Sequence, residues 1–257
     1  MTIVVFAGPS LFGVPAGLLS GFALRPPAEC GDVARAVRDG ATAIGLIDGR
    51  FETTASVWHK EILWSLSRGI SIFGASSMGA LRAAETWQFG MQGVGAVYRL
   101  YRSGVLRDDD EVAILHGPSE LGSIPITEAM VNIRFTLRAA RRRGVIAASA
   151  EDEMSRIAKS LYYKERTYDR VLGICGNRNG LGADVELFRD RLVGLRRDVK
   201  RDDAIRLLSR LRNLSSEQPD VPRISFAATT FWETFAANQL AEQPAGRAAD
   251  RRRLRAR

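Results

Sequence analysis

Three short apolar runs, each closed by a turn of small or polar residues, constrain this chain more than any other feature. Ile3-Val4-Val5-Phe6 ends in Ala7-Gly8-Pro9-Ser10, and Ala43-Ile44-Gly45-Leu46-Ile47 ends in Asp48-Gly49. Ile70-Ser71-Ile72-Phe73 runs into Gly74-Ala75-Ser76-Ser77. Runs of this length bounded by such residues read as buried strands. Between them, residues 32–38 and 56–67 read as helices. In the second, Val57, Trp58, Ile62, Leu63 and Leu66 recur near the 3.6-residue period, and Gly69 stops it. A further helix follows the third run over about 78–88. Strand, helix, strand in units this short predicts parallel pairing through right-handed crossovers. Ligands then sit outside the carboxyl ends of the strands, where Ser10, Asp48, Ser76 and Ser77 fall. The run Glu111-Val112-Ala113-Ile114-Leu115 reads as a fourth strand with His116 at its end.

From Pro125 onward the pattern is helical, over 127–143, 151–168, 184–195, 201–214 and 226–240. The expected fold class is α/β: a small parallel sheet with flanking helices in the N-terminal half, followed by a helical C-terminal half. The expected organisation is an α/β core over 1–122, a helical region over 123–242 packed on it, and a disordered basic tail over 243–257.

Charge raises the question of nucleic acid, because 37 basic residues outnumber 29 acidic ones for a net +8. Much of the excess sits in the last segment, where Arg247, Arg251, Arg252, Arg253, Arg255 and Arg257 face one acid, Asp250. No aromatic-interleaved basic sheet or recognition motif accompanies it, so an acidic protein partner explains the charge as well. With two cysteines and two histidines, a disulfide framework and a His-rich zinc site are both excluded. No apolar run is long enough for a membrane span, and the N-terminus carries no basic leader, so a cytoplasmic protein is expected. Residues 8–13 lack the ending of a phosphate-binding loop and no complete dinucleotide fingerprint occurs, so no cofactor and no metal is expected. The run Asp108-Asp109-Asp110-Glu111 reads as a solvated turn rather than a divalent-metal site.

Ala75-Ser76-Ser77-Met78-Gly79 matches the pattern of a nucleophile elbow, in which small neighbours let a serine sit on a tight strand-to-helix turn. The helix start that follows offers backbone amides and a positive dipole end to an oxyanion. The same pattern also fits a packed turn in which either serine merely caps the helix. A serine nucleophile needs a base. Scarce histidine turns attention to Lys60, inside His59-Lys60-Glu61 on the preceding helix, where apolar neighbours would lower its pKa. Ser77 with Lys60 would form a Ser-Lys dyad. His59 is the alternative base, Ser76 a proton relay, and Asp48 the residue orienting the base. A solvated Lys60 and a plain Asp-Gly turn at Asp48 are the competing readings.

Taken in order, Gly8-Pro9-Ser10-Leu11, Ile47-Asp48-Gly49-Arg50-Phe51, His59-Lys60-Glu61-Ile62-Leu63 and Gly74 to Glu85 form a recognisable series. It continues in Gly90-Met91-Gln92-Gly93-Val94-Gly95, Asp109-Asp110-Glu111-Val112-Ala113 and His116-Gly117-Pro118, with Asn132 and Arg134 beyond. The series resembles the TfuA-like core proteins, which accompany YcaO enzymes. That resemblance implies sulfur delivery in backbone thioamidation of a peptide or protein, in natural-product biosynthesis or on a housekeeping protein. The implied partners are a YcaO-type ATP-dependent enzyme, a precursor peptide or protein, and a ubiquitin-like sulfur carrier ending in a thiocarboxylate. Ser76-Ser77-Met78-Gly79 is also similar to the nucleophile segment of Clp-type serine proteases, which favours Ser77 over Ser76. Ser10, Gly79, Glu85 and His116 complete the expected substrate contacts. A non-catalytic adaptor and a free-standing serine hydrolase are the alternatives.

Overall fold

The computed structural model describes residues 1–50, 52, 54–178, 180–214 and 224–240. The tail expected over 243–257, and Phe51 of the quoted series, lie outside them. Among the described residues no helix is long and apolar enough to cross a membrane.

Five strands, β1 (Ile3–Phe6), β2 (Ala23–Arg25), β3 (Ala43–Leu46), β4 (Ser71–Ala75) and β5 (Gln92–Val94), form one sheet in the order β2-β1-β3-β4-β5. Every pairing is parallel, as the alternation predicts. This is a doubly wound order whose connections reverse direction between β1 and β3, the point where such sheets open a crevice for ligands. Register sharpens that point. Phe6 pairs with Leu46 and Leu46 with Gly74. Two residues further on, Gly8, Asp48 and Ser76 therefore leave the sheet at a common level.

The helices run in chain order α1 (Ala16–Leu19), α2 (Asp32–Arg38), α3 (His59–Ser67), α4 (Met78–Thr86), α5 (Gly95–Arg102) and α6 (Met130–Arg142). They continue as α7 (Ala148–Ser160), α8 (Tyr168–Gly176), α9 (Gly182–Leu195), α10 (Val199–Arg212) and α11 (Thr230–Leu240). Strand side chains alternate between two faces. Val4, Phe6, Ile44, Leu46 and Ile72 pack with Val33, Ile62 and Leu66 of α2 and α3. On the opposite face Val5 and Phe73 pack with Ala204, Leu207 and Leu211 of α10. A Cβ at Gly45 would lie 2.7 Å from Leu211 Cδ1, so the bare strand backbone is what lets α10 lie flat there. Helices α6 to α9 enclose their own core around Met130, Leu137, Met154 and Phe188.

Two expectations are corrected. The segment 111–115 is not a strand. Residues Asp109–Glu111 form one turn of 3-10 helix, and the Leu115 amide is taken by the Thr127 hydroxyl at 2.7 Å rather than by a sheet. The sheet edges are instead β2 and β5, three residues each, too short to carry a period of two. The single helix expected over 151–168 is broken into α7 and α8. Arg166, fully buried, donates to the carbonyls of Ala158 (3.0 Å) and Leu161 (2.9 Å) and so terminates α7 with a side chain.

Candidate active site

The tight turn after β4 exists because two glycines permit it. A Cβ at Gly79 would come within 1.7 Å of the Leu46 carbonyl oxygen, and one at Gly74 within 2.0 Å of the Gly79 oxygen. Helix α4 thus starts pressed against the ends of β3 and β4, and the Gly79 amide donates to the Ile47 carbonyl at 3.2 Å. Gly79 is therefore a packing residue, not the substrate contact expected of it. The turn stores strain at Ser76, which has φ of +69°, a conformation costing a non-glycine residue on the order of 1–3 kcal/mol.

The two serines diverge from that point. Ser76 is fully buried and its hydroxyl donates to Ser10 Oγ at 2.8 Å; Ser10 Oγ in turn donates to Asp48 Oδ1 at 2.7 Å. Asp48 Oδ2 accepts the amides of Gly8 (2.8 Å) and Ser10 (3.0 Å), so the carboxylate ties the turn after β1 to the end of β3. Ser77 lines a cavity of about 460 Å³ shared with Asp48, Gly49, Arg50, His116 and Lys200. Its hydroxyl makes no capping bond to α4. Among the described residues its one hydrogen bond is a long one, 3.5 Å to the Val112 carbonyl. The amide of Met78, in the first turn of α4, has no hydrogen-bond partner among the described residues. An amide in that place, one residue past the serine, is where an oxyanion donor belongs.

Lys60 is not the amine that meets Ser77. It does not line the cavity; its Nζ donates to the Ala227 carbonyl and lies 4.9 Å from the Phe226 ring centre. Helix α3 presents its apolar side to the sheet and turns Lys60 toward the segment before α11. His59 also points away, with Nε2 2.7 Å from Glu85, and Arg82 holds the same carboxylate. Glu85 is thereby committed to an ion-pair cluster outside the cavity, so neither residue has its expected role. The buried member of His59-Lys60-Glu61 is Glu61, which accepts the amides of Trp58 (2.8 Å) and Gly31 (3.0 Å) and fastens α3 to the start of α2.

Lys200 takes the place at Ser77. It sits in the first turn of α10, is 3% exposed, and donates from Nζ to the Val112 carbonyl at 2.6 Å. Ser77 Oγ approaches the same oxygen, so distances of 2.6 and 3.5 Å hold the amine and hydroxyl within about 6 Å of each other. Burial pulls the Lys200 pKa below the ordinary lysine value, against the opposing charges of Asp48, Asp198 and Glu128. Asn132 steadies the element that carries it. Its side-chain amide donates to Glu128 (2.9 Å) and Asp198 (3.0 Å), and its oxygen accepts the Lys200 backbone amide at 3.3 Å.

His116 lines the cavity as expected, although from an irregular segment rather than a strand end. Its Nδ1 donates to the Gly117 carbonyl at 2.7 Å, which leaves Nε2 as the acceptor of the neutral ring. Arg50, Lys164 and Glu120 also line the cavity, Lys164 paired with Glu52 at 2.7 Å and Arg50 3.9 Å from Glu29. The acidic run is a solvated turn at Asp108 and Asp109, which are exposed, but not at Glu111, which is buried and holds Arg134 through two bonds of 2.9 and 3.0 Å. Asp108, Asp110 and Glu111 converge on the Lys159 ammonium, a cation supplied by the chain itself.

Comparison with curated proteins returns no match. The model of the family described as TfuA-like protein matches residues 48–167, which include Asp48, Ser76, Ser77, Val112 and His116, while Ser10 and Lys200 lie outside it. Over those residues the chain carries a TfuA-like domain, the mark of a family linked to thioamidation.

Proposed function

We propose that this protein hydrolyses the C-terminal thiocarboxylate of a small ubiquitin-like carrier and passes the hydrosulfide to a YcaO-type enzyme that installs thioamides. The observation that carries the reading is the convergence of Ser77 Oγ and a fully buried Lys200 amine on one carbonyl oxygen, at the mouth of the sheet crevice. A lysine whose pKa is lowered by burial is competent to take a proton from a serine. The interval between them is one that a bridging water or substrate-driven closure spans.

In the first step the neutral Lys200 amine removes the Ser77 proton as Oγ attacks the thiocarboxylate carbon. The Met78 amide donates to the oxyanion that forms. The carbon–sulfur bond then breaks and the departing sulfur takes the proton from Lys200, leaving as hydrosulfide. The carrier remains as an ester on Ser77. In the second step water, deprotonated by the same amine, cleaves that ester and restores both serine and carrier carboxylate. Ser76, Ser10 and Asp48 fix the turn and set the charge facing Lys200. Arg50, exposed at the entrance, is the cation placed to meet an anionic tail.

The test is Ser77→Ala, assayed for sulfide release from a purified carrier thiocarboxylate. Release should disappear while the thermal melt stays near that of the unaltered protein. Full release from the alanine variant would remove the nucleophile and leave an adaptor that brings carrier and YcaO enzyme together.

A further inference from the structure

A second cavity of about 380 Å³ lies beside the first, and Pro9, Ile114 and Lys200 line both. Ser10 lines the second cavity, Asp48 and Ser77 the first, and the 2.7 Å bond from Ser10 Oγ to Asp48 Oδ1 crosses the partition between them. The second cavity has its own way to solvent, past the exposed side chain of Ile126. Its inner wall is polar, with Glu128, Asn132 and Asp198 grouped around the backbone of Lys200. Space of this size and polarity accommodates several waters, each needing only about 10–15 Å³ of such volume and a few polar partners.

Resting on the hydrolase reading, we propose that this second cavity is the passage by which water reaches, and hydrosulfide leaves, the Ser77 site while a carrier occupies the first cavity. The need follows from the substrate. A carrier esterified to Ser77 through its C-terminus threads its tail through the first cavity and sets its folded body over the entrance. The second chemical step still consumes one water per turnover, and the first has released one hydrosulfide. Neither small molecule passes a plugged entrance. The partition is formed by the residue that handles protons in both steps, so a water arriving from the second cavity meets Lys200 before it meets the ester. The polar wall repels apolar groups and admits small hydrophilic ones, and Arg196 in that wall, paired with Glu128, offsets the carboxylate charge for the anion that has to leave.

The experiment narrows the second cavity without touching Ser77 or Lys200. Ile126→Trp fills its mouth, and Leu192→Trp narrows it from α9 independently. Each variant is mixed rapidly with a carrier thiocarboxylate, sulfide is followed from the first turnover onward, and intact mass is read on quenched samples. The expected result is formation of an ester-linked carrier–enzyme adduct at the normal rate, with the appearance of sulfide in solution and steady turnover both slowed about tenfold or more. The mass of that adduct should accumulate in parallel. The proposal is overturned if variants with normal melts keep full steady turnover, or if turnover falls without the adduct accumulating. Ser77→Ala separates the two readings: sulfide release by that variant removes the hydrolase mechanism, and the passage with it, whatever the tryptophan variants do.

Discussion

Replacing Lys200 with methionine separates what the amine does for catalysis from what it does for the fold. Methionine keeps an unbranched apolar stem of similar length, so the packing around α10 survives. The amine is nearly inaccessible, and its bond to Val112 is 2.6 Å long. Removing it leaves the Val112 carbonyl, among the described residues, with only the 3.5 Å contact from Ser77. A buried acceptor left unpaired costs about 1–3 kcal/mol. In the other direction, the amine no longer has to be taken out of water, a burden of about 1–3 kcal/mol for a polar group inside a protein. These terms offset each other to within about 2 kcal/mol, which for a chain of this size moves the melting temperature by about 2–4 °C for each kcal/mol. Catalysis has no such compensation. Loss of the general base should lower sulfide release by about 10²- to 10⁴-fold. The assay is steady-state sulfide release from a carrier thiocarboxylate, run beside a thermal melt. In the unaltered protein the rate should rise with pH through the Lys200 ionisation, because only the neutral amine accepts a proton, and that rise should begin below the ordinary lysine range. Lys200→Arg, which retains charge but cannot deprotonate, should be as inactive as the methionine variant. An active arginine variant, or a methionine variant within about threefold of normal, would refute the assignment.

Three further substitutions probe the parts that hold the site. Gly79→Ala puts a methyl carbon 1.7 Å from the Leu46 oxygen; the helix has to retreat, with a loss of about 3 kcal/mol in a urea titration and of sulfide release together. Asp48→Asn removes a negative charge that holds the Lys200 pKa up, so the acid side of the pH–rate profile should move to lower pH, and an unmoved profile would mean that Asp48 acts on loop geometry alone. Arg166→Met deletes a buried guanidinium held 2.8 Å from Asp110 and by the carbonyls that end α7; Asp110 keeps Lys159, but leaving those carbonyls unpaired should cost about 1–3 kcal/mol by chemical denaturation.

The sheet was legible because parallel strands announce themselves in short apolar runs, and their turns in Gly, Ser and Asp. The same logic located Ser10, Asp48 and Ser77 correctly at the strand ends, since a parallel sheet sends every crossover from one edge. It failed where an apolar run had another use. Residues Val112 and Ala113 are buried, Val112 in a core it shares with Ala80, Val97 and Val131 rather than in the sheet, and such a run carries no period that distinguishes this from a strand. It failed again at His59-Lys60-Glu61. There the sequence offers three titratable residues in a row, and only the fold selects Glu61 for burial while turning Lys60 and His59 outward.

Lys200 was hidden for a different reason, and one signal in the sequence did point to it. The amine is brought to Ser77 by tertiary structure alone: α10 lies outside the family-matched residues 48–167 and crosses the second face of the sheet on Gly45, Val5 and Phe73. No spacing rule connects such a residue to a turn at the far end of another element. Yet Asp198 caps α10 through the Arg201 amide at 3.0 Å, so Lys200 and Arg201 occupy the first turn, where the helix dipole favours acids and opposes cations. Arg201 escapes by reaching the Gly13 carbonyl at 2.9 Å on the surface. Lys200 does not escape; it is buried at the dipole's positive end. Burial and dipole both favour the uncharged amine, the form a general base requires. A residue placed against a local rule, without a local reason, is where function is to be sought. By that criterion the first turn of α10, rather than α3, is where the proposed dyad has its amine, the place that scarce histidine had pointed to at Lys60.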